Sequence, residues 1–371
     1  MRYYIIAGEA SGDLHGSNLM KAFKEEDSDA EFRFFGGDLM KAQGGTLVKH
    51  YAEMAFMGFV EVVLNIATIY KNIQLAKKDL LASQSDVLIL VDFPGFNLKV
   101  AEFAKKNNIR VFYYISPKVW AWNQNRVLKI KKVVDRMFCI LPFEVEFYKS
   151  WGMDVDYVGN PILDAIEANV ENDDFALEYN LKTNSVIALL PGSRKQELNK
   201  LLPVMMELVE RFPYFQFVIA GAPNFTMQDY QPFIKDSAVQ VIFGDTYNLL
   251  NHSTVAIVAS GTATLETALL KVPQVVVYKG NAISIAIARM VIRIRFISLV
   301  NLIMDEEVVK ELIQDDCSVK NIEAELNNLL HDPLYRTKML INYDELAVKM
   351  GEHGASSRAA RLMFGYLKTV K

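Results

Sequence analysis

The chain has 371 residues, a formal net charge of −4 at pH 7 and two cysteines. This length exceeds what one hydrophobic core usually supports, so two domains are expected. The acidic balance gives no basis for nucleic acid binding, and no apolar run reaches the roughly 18–20 residues that span a bilayer. MRYYIIAGEASGD turns polar too early for a signal peptide, and Cys139 and Cys317 fit buried thiols of a cytoplasmic protein.

Strand and helix patterns alternate along the first half of the chain. Continuous apolar runs predict buried strands, and the amphipathic segments between them predict helices. The predicted strands are YYIIAG, FRFFGG, DVLILVDFPG, IRVFYYISP, VDRMFCILPF and VDYVGNP. The predicted helices are HGSNLMKAFKEE, IATIYKNIQLAKKDLLASQ, FNLKVAEFAKKNN and EVEFYKSWG. This alternation predicts a parallel sheet covered by helices on both faces.

A polar stretch near 165–182 separates this half from a second one with the same alternation, and we expect the domain boundary at 170/171. The second set of predicted strands is SVIALLPGSR, FQFVIAGAP, VQVIFGD, VAIVASGT and PQVVVYKG. EEVVKELIQ and the chain beyond it are predicted to be helical, and a final helix at about 345–371 is expected to return to the first domain. The predicted fold is α/β, with two Rossmann-like, doubly wound domains (1–170 and 171–344) and an interdomain cleft.

Two loops after strands of the second domain have the chemistry of a nucleotide site. LPGSR ends a strand and opens a helix, whose amides and dipole favour an anion beside a forked arginine. SGTATLE offers two hydroxyls, free amides and an acid suited to the hydroxyls of a ribose. The predicted residues for a nucleoside diphosphate are Gly192, Ser193, Arg194, Ser260, Gly261, Thr262 and Glu266. Simple helix capping is the alternative.

The first domain offers acids at two predicted strand ends. Asp92 ends the apolar run LILV, and a carboxylate beside an apolar wall has a raised pKa and can act as a general base. Glu9, Ser11 and Asp13 follow the first strand and are predicted to hold sugar hydroxyls or phosphate-linked groups. Capping of the following helices is the competing interpretation, above all for Asp13.

The sequence contains no sign of a metal or a standard cofactor. His15 and His353 have no partner at metal-ligand spacing, and we assign neither a role. No GxGxxG follows the first strand and no GxxxxGK[ST] occurs, so we expect no nicotinamide cofactor and no P-loop.

Apolar and basic stretches suggest contact with lipid. The segment 55–70 predicts either a core helix or a patch that receives acyl chains or enters a leaflet. Basic islands at 126–136 and at Arg289 and Arg293 suit anionic headgroups or a phosphorylated substrate. Trp120 and Trp122 are predicted either at the same interface or buried in their loop.

The motifs GEASGD, DFPGFN, SPKVWAWNQNR, LPGSR, SGTATLE and SLVNLI resemble, in order and spacing, the lipid-A-disaccharide synthase family almost end to end. The resemblance implies a GT-B glycosyltransferase with Asp92 as the catalytic acid/base and Asn301 in the substrate site. Two positions depart from the family pattern: Gly95 replaces a second acid, and Val300 replaces the proline before Asn301. Asp92 is therefore the only carboxylate of its motif.

The resemblance further implies the reaction and its surroundings. UDP-2,3-diacylglucosamine and 2,3-diacylglucosamine 1-phosphate would give the β-1,6 disaccharide 1-phosphate and UDP, with inversion and without a catalytic metal or other cofactor. The family works at the cytoplasmic face of the inner membrane as a peripheral protein and forms homodimers with exchanged C-terminal segments. A UDP-sugar 2-epimerase and a non-catalytic nucleotide-sugar or lipid-binding protein are the alternatives.

Overall fold

A computed structural model of the chain describes residues 1–54, 65–182, 185–235, 237–280 and 294–369. The chain divides into two compact units: a first unit of Met1–Asp164 with Glu352–Lys371, and a second unit of Ala165–Gly351. The division therefore lies a few residues before the expected boundary at 170/171. Residues 345–351 lie in the second unit rather than with the C-terminal helix.

The first unit contains a parallel sheet of seven strands in the order β3-β2-β1-β4-β5-β6-β7. The strands are β1 (Arg2–Ala7), β2 (Glu31–Gly36), β3 (Thr46–His50), β4 (Val87–Val91), β5 (Arg110–Tyr114), β6 (Arg136–Cys139) and β7 (Asp156–Tyr157). The chain moves outward from β1 to one edge and then from β4 to the other, so the strand order reverses between β1 and β4. Ligands of such sheets bind at this reversal, beyond the carboxyl ends of the strands.

The second unit repeats this arrangement with six strands in the order β10-β9-β8-β11-β12-β13. They are β8 (Val186–Leu190), β9 (Gln216–Gly221), β10 (Gln240–Phe243), β11 (Val255–Ala259), β12 (Gln274–Tyr278) and β13 (Lys310–Ile313). The prediction of a helix through EEVVKELIQ is wrong, because KELI forms β13 and pairs with β12. The open edge of β12 offers hydrogen bonds that a local helical pattern does not reveal.

Helices cover both sheets. In the first part of the chain they are α1 (Ala10–Glu26), α2 (Asp38–Ala42), α3 (Ile66–Ala82), α4 (Pro94–Lys106), α5 (Val119–Trp122), α6 (Val127–Val133), α7 (Phe143–Ser150) and α8 (Pro161–Glu167). The later helices are α9 (Phe175–Glu178), α10 (Lys195–Met206), α11 (Met227–Ile234), α12 (Thr246–Asn251), α13 (Thr262–Leu269), α14 (Leu299–Met304), α15 (Val319–His331), α16 (Pro333–Met350) and α17 (Ala355–Lys368). Short 3₁₀ turns lie at Tyr51–Glu53, Gln124–Arg126 and Val209–Arg211.

The C-terminal helix α17 belongs to the core of the first unit. Its small residues Ala359 and Ala360 are fully buried in the same cluster as β1, so the helix approaches α1 closely. Asp164 accepts hydrogen bonds from the amides of Gly354 and Ala355 at the start of α17. Arg358 donates to the carbonyl oxygen of Val158 at 2.9 Å, which ties the helix to the end of the sheet.

Both faces of the first sheet are buried. Alternate residues of β1 enter different apolar clusters, with Tyr4 and Ile6 on one face and Tyr3 and Ile5 on the other. The continuous apolar strands therefore follow from burial on two sides. The predicted fold class, two Rossmann-like parallel sheets, is confirmed. None of the helices in the described part of the chain is long and apolar enough to span a membrane.

Candidate active site

Asp92 lies where the strand order of the first sheet reverses. Ala7 of β1 pairs with Val91 of β4, so Gly8 and Asp92 leave the sheet side by side. Asp92 and Phe93 both have positive φ angles, 42° and 49°, which non-glycine residues seldom adopt. A Cβ atom at Gly8 would lie 2.2 Å from Cδ1 of Phe93, so only glycine fits beneath this ring. The close approach of Phe93 to β1 brings the turn at Asp92 next to Glu9.

Hydrogen bonds hold the strained turn in place. The carbonyl oxygen of Asp92 accepts from the Tyr113 hydroxyl at 2.5 Å and from Nδ2 of Asn97 at 2.7 Å. The amide of Asp92 donates to the carbonyl oxygen of Tyr114 at 3.2 Å. Strained backbone of this kind costs about 1–3 kcal/mol per residue and clusters at functional sites. The contacts therefore fix the backbone of Asp92, from which its side chain projects.

The surroundings of Asp92 favour a proton acceptor. Burial raises the pKa of the Asp92 carboxyl, attraction to Lys118 lowers it, and repulsion from Glu9 raises it again, with a net rise. Glu9 is half-buried at the N-cap of α1 but does not cap the helix with its side chain. Ser11 is exposed in the first turn of the same helix. Asp92, Glu9 and Ser11 thus remain together as candidates for contact with a polar substrate.

Asp13 has a structural role, and its predicted contact with substrate stays a prediction. Its buried carboxylate accepts hydrogen bonds from the amides of Gly37, Leu39 and Met40 at 2.7, 3.1 and 3.1 Å. These amides belong to the start of α2, an element that the sequence patterns did not reveal.

Glu144 is a buried acid near this site that the sequence reasoning missed. Its carboxylate accepts from the Ser116 hydroxyl, from Nε1 of Trp120 at 3.1 Å and from the Leu141 amide at 3.1 Å. Burial raises its pKa to about 7, against the effect of these donors. Trp120 is buried against this acid, whereas Trp122 is 48 % exposed. The only sequence signal for this acid was Trp120, because a buried indole N–H usually has a hydrogen-bond partner.

Two loops meet at the corresponding reversal of the second sheet. Leu190 of β8 pairs with Val258 of β11, so the loops after both strands leave the sheet together. Gly192 has a φ of 97°, and a Cβ atom there would lie 2.4 Å from the carboxylate of Glu197. Arg194 is exposed, and its Nη1 lies 3.4 Å from Oε1 of Glu197. Its amide also donates to Glu197 at 3.3 Å, so this overlooked acid closes the first turn of α10 and orients Arg194.

The loop after β11 leaves helix amides open to a ligand. Gly261 is the N-cap of α13 and has no side chain to cap it, and Gly261 and Thr262 are both exposed. The hydroxyl of Ser260 donates to the carbonyl oxygen of Ile297 at 3.0 Å. Ser193 and Thr262 are both exposed, and with the amides at the start of α13 they stay predicted contacts of an anion.

Glu266 has a partner that the sequence reasoning missed. The hydroxyl of Tyr247, at the start of α12, donates to Oε1 of Glu266 at 2.8 Å. Burial raises the pKa of Glu266, and the hydrogen bond from Tyr247 lowers it. The hydrogen bond from Tyr247 uses Oε1, and the contact of Glu266 with a ribose hydroxyl stays a prediction.

Asn301 also proves structural. It is fully buried, and its Oδ1 accepts from the amides of Val308 and Val309, both at 2.9 Å. Its Nδ2 donates to the carbonyl oxygen of Val309 and to Glu311, again at 2.9 Å. Glu311 in turn accepts from the Ser298 amide at 2.9 Å. The side-chain amide of Asn301 thus joins α14 to the strand β13, and its place among the substrate-binding residues stays a prediction.

The predicted lipid-facing segments are only partly described. Residues 55–64, Arg289 and Arg293 lie outside the described residues. In the basic stretch 126–136, Lys129 pairs with Glu102 at 2.7 Å, and Arg136 stacks over the ring of Tyr366. Within the ranges that the structure describes, no group of three or more His, Cys, Asp or Glu side chains has a metal-binding arrangement.

Two doubly wound sheets with polar loops at both reversals define a class of proteins that includes nucleotide-sugar epimerases and glycosyltransferases. UDP-GlcNAc 2-epimerase from Neisseria meningitidis bound to UDP-GlcNAc has the same fold, with a TM-score of 0.68, 14% identity, and coverage of 100% of both chains. The calicheamicin glycosyltransferase is similar with a TM-score of 0.63 and 14% identity, over 100% of this chain and 99% of that chain. At these identities the similarity concerns the fold alone.

Sequence comparison identifies the particular family. The model of the Lipid-A-disaccharide synthetase family matches residues 3–362. The lipid-A-disaccharide synthase of Geobacter metallireducens is 37% identical over 99% of this chain and 97% of its own length. The chain belongs to the lipid-A-disaccharide synthase family, and is thus a hexosyltransferase of lipid A biosynthesis. The resemblance noted from the motifs is confirmed.

Proposed function

We propose that the chain transfers diacylglucosamine from UDP-2,3-diacylglucosamine to the 6-hydroxyl of 2,3-diacylglucosamine 1-phosphate. The observation that carries this proposal is the Asp92 carboxylate, half-buried, with a raised pKa, on a strained turn at the reversal of the first sheet. Family membership supplies the reaction type, and the loops of each unit supply the chemistry that the reaction needs.

Asp92 is the general base in this proposal. It removes the proton from the acceptor 6-hydroxyl while the new O–C bond forms at the anomeric carbon of the donor. The bond from that carbon to the diphosphate breaks in the same step, and the electron pair leaves with UDP. One displacement converts the α-linked donor into a β-linked product. Glu9 and Ser11, at the end of β1, accept hydrogen bonds from hydroxyls of the acceptor sugar.

The second unit holds the nucleotide in this proposal. Arg194 and the amides at Gly192–Ser193 and Gly261–Thr262 supply positive potential to the departing diphosphate. Glu266 accepts hydrogen bonds from the ribose hydroxyls, and Tyr247 orients its carboxylate. Side chains and backbone amides of the protein thus stabilise the negative charge of the departing UDP.

The test is acceptor-dependent release of UDP in detergent micelles. Purified protein receives the donor with and without the acceptor, and the product is identified by mass. We expect UDP and a disaccharide phosphate only when both substrates are present. No release of UDP and no consumption of the donor would instead support a binding protein. Release without the acceptor, or consumption of the donor without release, would support an epimerase.

The Asp92→Asn variant tests the base. Asparagine keeps the volume and the backbone contacts of the turn but cannot take the proton, so turnover should fall about 10²- to 10⁴-fold. Asp154→Asn, at an exposed aspartate of the first unit, is the matched control and should retain full turnover. An Asp92→Asn protein that keeps most of its turnover would remove the assignment.

We also propose that the protein binds peripherally to the cytoplasmic face of the inner membrane as a homodimer with exchanged C-terminal segments. Support for lipid contact comes from Ile66 and Tyr70 of α3, whose residues are 67% and 64% exposed. Flotation with anionic vesicles tests the membrane contact: Ile66→Ser with Tyr70→Ser should reduce the bound fraction. Light scattering on the detergent-solubilised protein tests the dimer, and a monomeric mass would contradict it.

A further inference from the structure

The loop Ser116–Trp120 follows β5, the strand next to β4 and the turn at Asp92. Tyr113 and Tyr114 of β5 make the hydrogen bonds to the backbone of Asp92 described above. The next residue, Ile115, has a φ of 63°, a true outlier for a β-branched side chain. Its amide donates to Phe138 of β6 at 3.0 Å, which holds the turn. The chain therefore turns sharply at Ile115, directly after the strand whose residues bind the backbone of Asp92.

Glu144 holds this loop on both sides of Lys118. Its carboxylate binds the Ser116 hydroxyl and Nε1 of Trp120, the two residues that flank Lys118 at a distance of two positions each. Phe143, the neighbour of Glu144, packs edge-on against the Trp120 ring with centroids 4.9 Å apart. Glu144 and Trp120 are buried, whereas Lys118 itself is exposed. Buried residues thus hold both ends of the loop, and Lys118 lies at the surface between them.

We propose that Glu144 is a positioning residue that, by binding Ser116 and Trp120, holds Lys118 beside Asp92, where its positive charge keeps the base ionised. The proposal rests on the proposed function of Asp92. It adds two residues, Lys118 and Glu144, to the machinery of the first unit.

The charges around Asp92 set the direction of the effect. Lys118 lowers the pKa of Asp92, whereas burial and Glu9 raise it. The buried hydroxyl of Tyr113 also faces this carboxylate, and its pKa lies well above the ordinary value, so it stays neutral. Loss or displacement of Lys118 therefore raises the pKa of Asp92 further. A larger share of the enzyme then carries a protonated, inactive base at neutral pH.

Burial raises the pKa of Glu144 to about 7, so its titration must be distinguished from that of Asp92. The groups that face Glu144 are Ser116, Trp120, Cys139, Tyr148 and Tyr157. Burial raises the pKa values of Cys139, Tyr148 and Tyr157, so these three stay neutral near pH 7. Glu144→Gln removes the titration of Glu144 while keeping its shape and one acceptor. A shift of the acidic limb by Lys118→Met that persists in the Glu144→Gln background therefore belongs to Asp92.

The experiment is the pH dependence of kcat/KM for acceptor-dependent UDP release. In Lys118→Met the acidic limb should move to higher pH by about one unit, the scale of one lost opposite charge nearby. Lys118→Arg should restore the wild-type profile. Glu144→Ala, which removes the shared acceptor of Ser116 and Trp120, should move the limb in the same direction, and combining it with Lys118→Met should add no further shift. Lys149→Met, an exposed lysine on the same helix as Glu144, is the matched control and should change nothing.

Three results would overturn the proposal. They are an unshifted limb in Lys118→Met, an unshifted limb in Glu144→Ala with only a loss of kcat, and additive shifts in the variant that combines the two. If Glu144→Ala does not fold, Trp120→Phe decides, since it removes only the Nε1 donor and should shift the limb likewise. Asp92→Asn in the same assay separates the two claims. Retained turnover there rejects the base, whereas lost turnover with unshifted limbs rejects only the positioning.

Discussion

Replacing Asn301 by alanine should destabilise the second unit. Asn301 is fully buried, and its side-chain oxygen is the acceptor for the amides of Val308 and Val309. Alanine leaves both amides buried without that acceptor, and it also frees Glu311 from its Nδ2 donor. The strand β13 and the turn before it then lose their link to α14.

The size of the effect follows from these two amides. A buried donor left without an acceptor costs about 1–3 kcal/mol, so the free energy of unfolding should fall by roughly 2–6 kcal/mol. For a domain the size of the second unit this corresponds to a fall in melting temperature of roughly 4–24 °C. Asn251→Ala, at an exposed asparagine of the same unit, should stay within about 0.5 kcal/mol of the wild type.

Thermal unfolding and hydrogen exchange of the full chain provide the measurement. We expect a lower melting temperature and faster exchange in the peptide that covers 297–313. UDP release measured well below the melting transition distinguishes the two roles of Asn301. A variant with wild-type melting and exchange but no UDP release would refute the structural role and support the predicted contact of Asn301 with substrate.

Three further predictions concern the first unit. Gly8→Ala should lower stability by about 1–3 kcal/mol and impair turnover, because the new methyl group displaces Phe93 and with it Asp92. Gly95→Ala, where a Cβ meets open space, should not lower stability in denaturant titrations. Asp13→Asn should cost about 1–3 kcal/mol in the same titrations, since a charged acceptor of three amides is lost, while the pH profile of turnover stays unchanged. Glu144 binds its proton more tightly in the folded protein, with a pKa of about 7 against an ordinary 4.5, so its contribution to stability falls as pH rises between these values. The loss is about 3 kcal/mol, and Glu144→Gln should flatten the pH dependence of unfolding in this window; a curve parallel to the wild type would contradict it.

Much of the fold and part of the site follow from local sequence patterns. Apolar runs of five or six residues predict buried parallel strands, because only a sheet covered on both faces needs them. The polar loops at Asp92, Arg194 and Ser260 follow such runs directly. The carboxyl ends of parallel strands lie at one edge of a sheet. The position of these loops in the sequence therefore predicts at which edge of the sheet they lie. Asp92 could therefore be chosen without knowledge of its neighbours.

The roles of individual polar residues were decided by contacts between distant parts of the chain. Asp13 and Asn301 have the residue types of a binding site, yet each satisfies backbone amides of an element that no local pattern connects to it. The same is true of Glu144 and Tyr247, whose partners Trp120 and Glu266 lie on other helices. A buried polar group must find a partner or pay its desolvation in full, and the partner is chosen by tertiary packing. The sequence by itself thus determined the strands and the loops at their ends, while the tertiary structure decided which polar side chains in those loops remain available to a ligand.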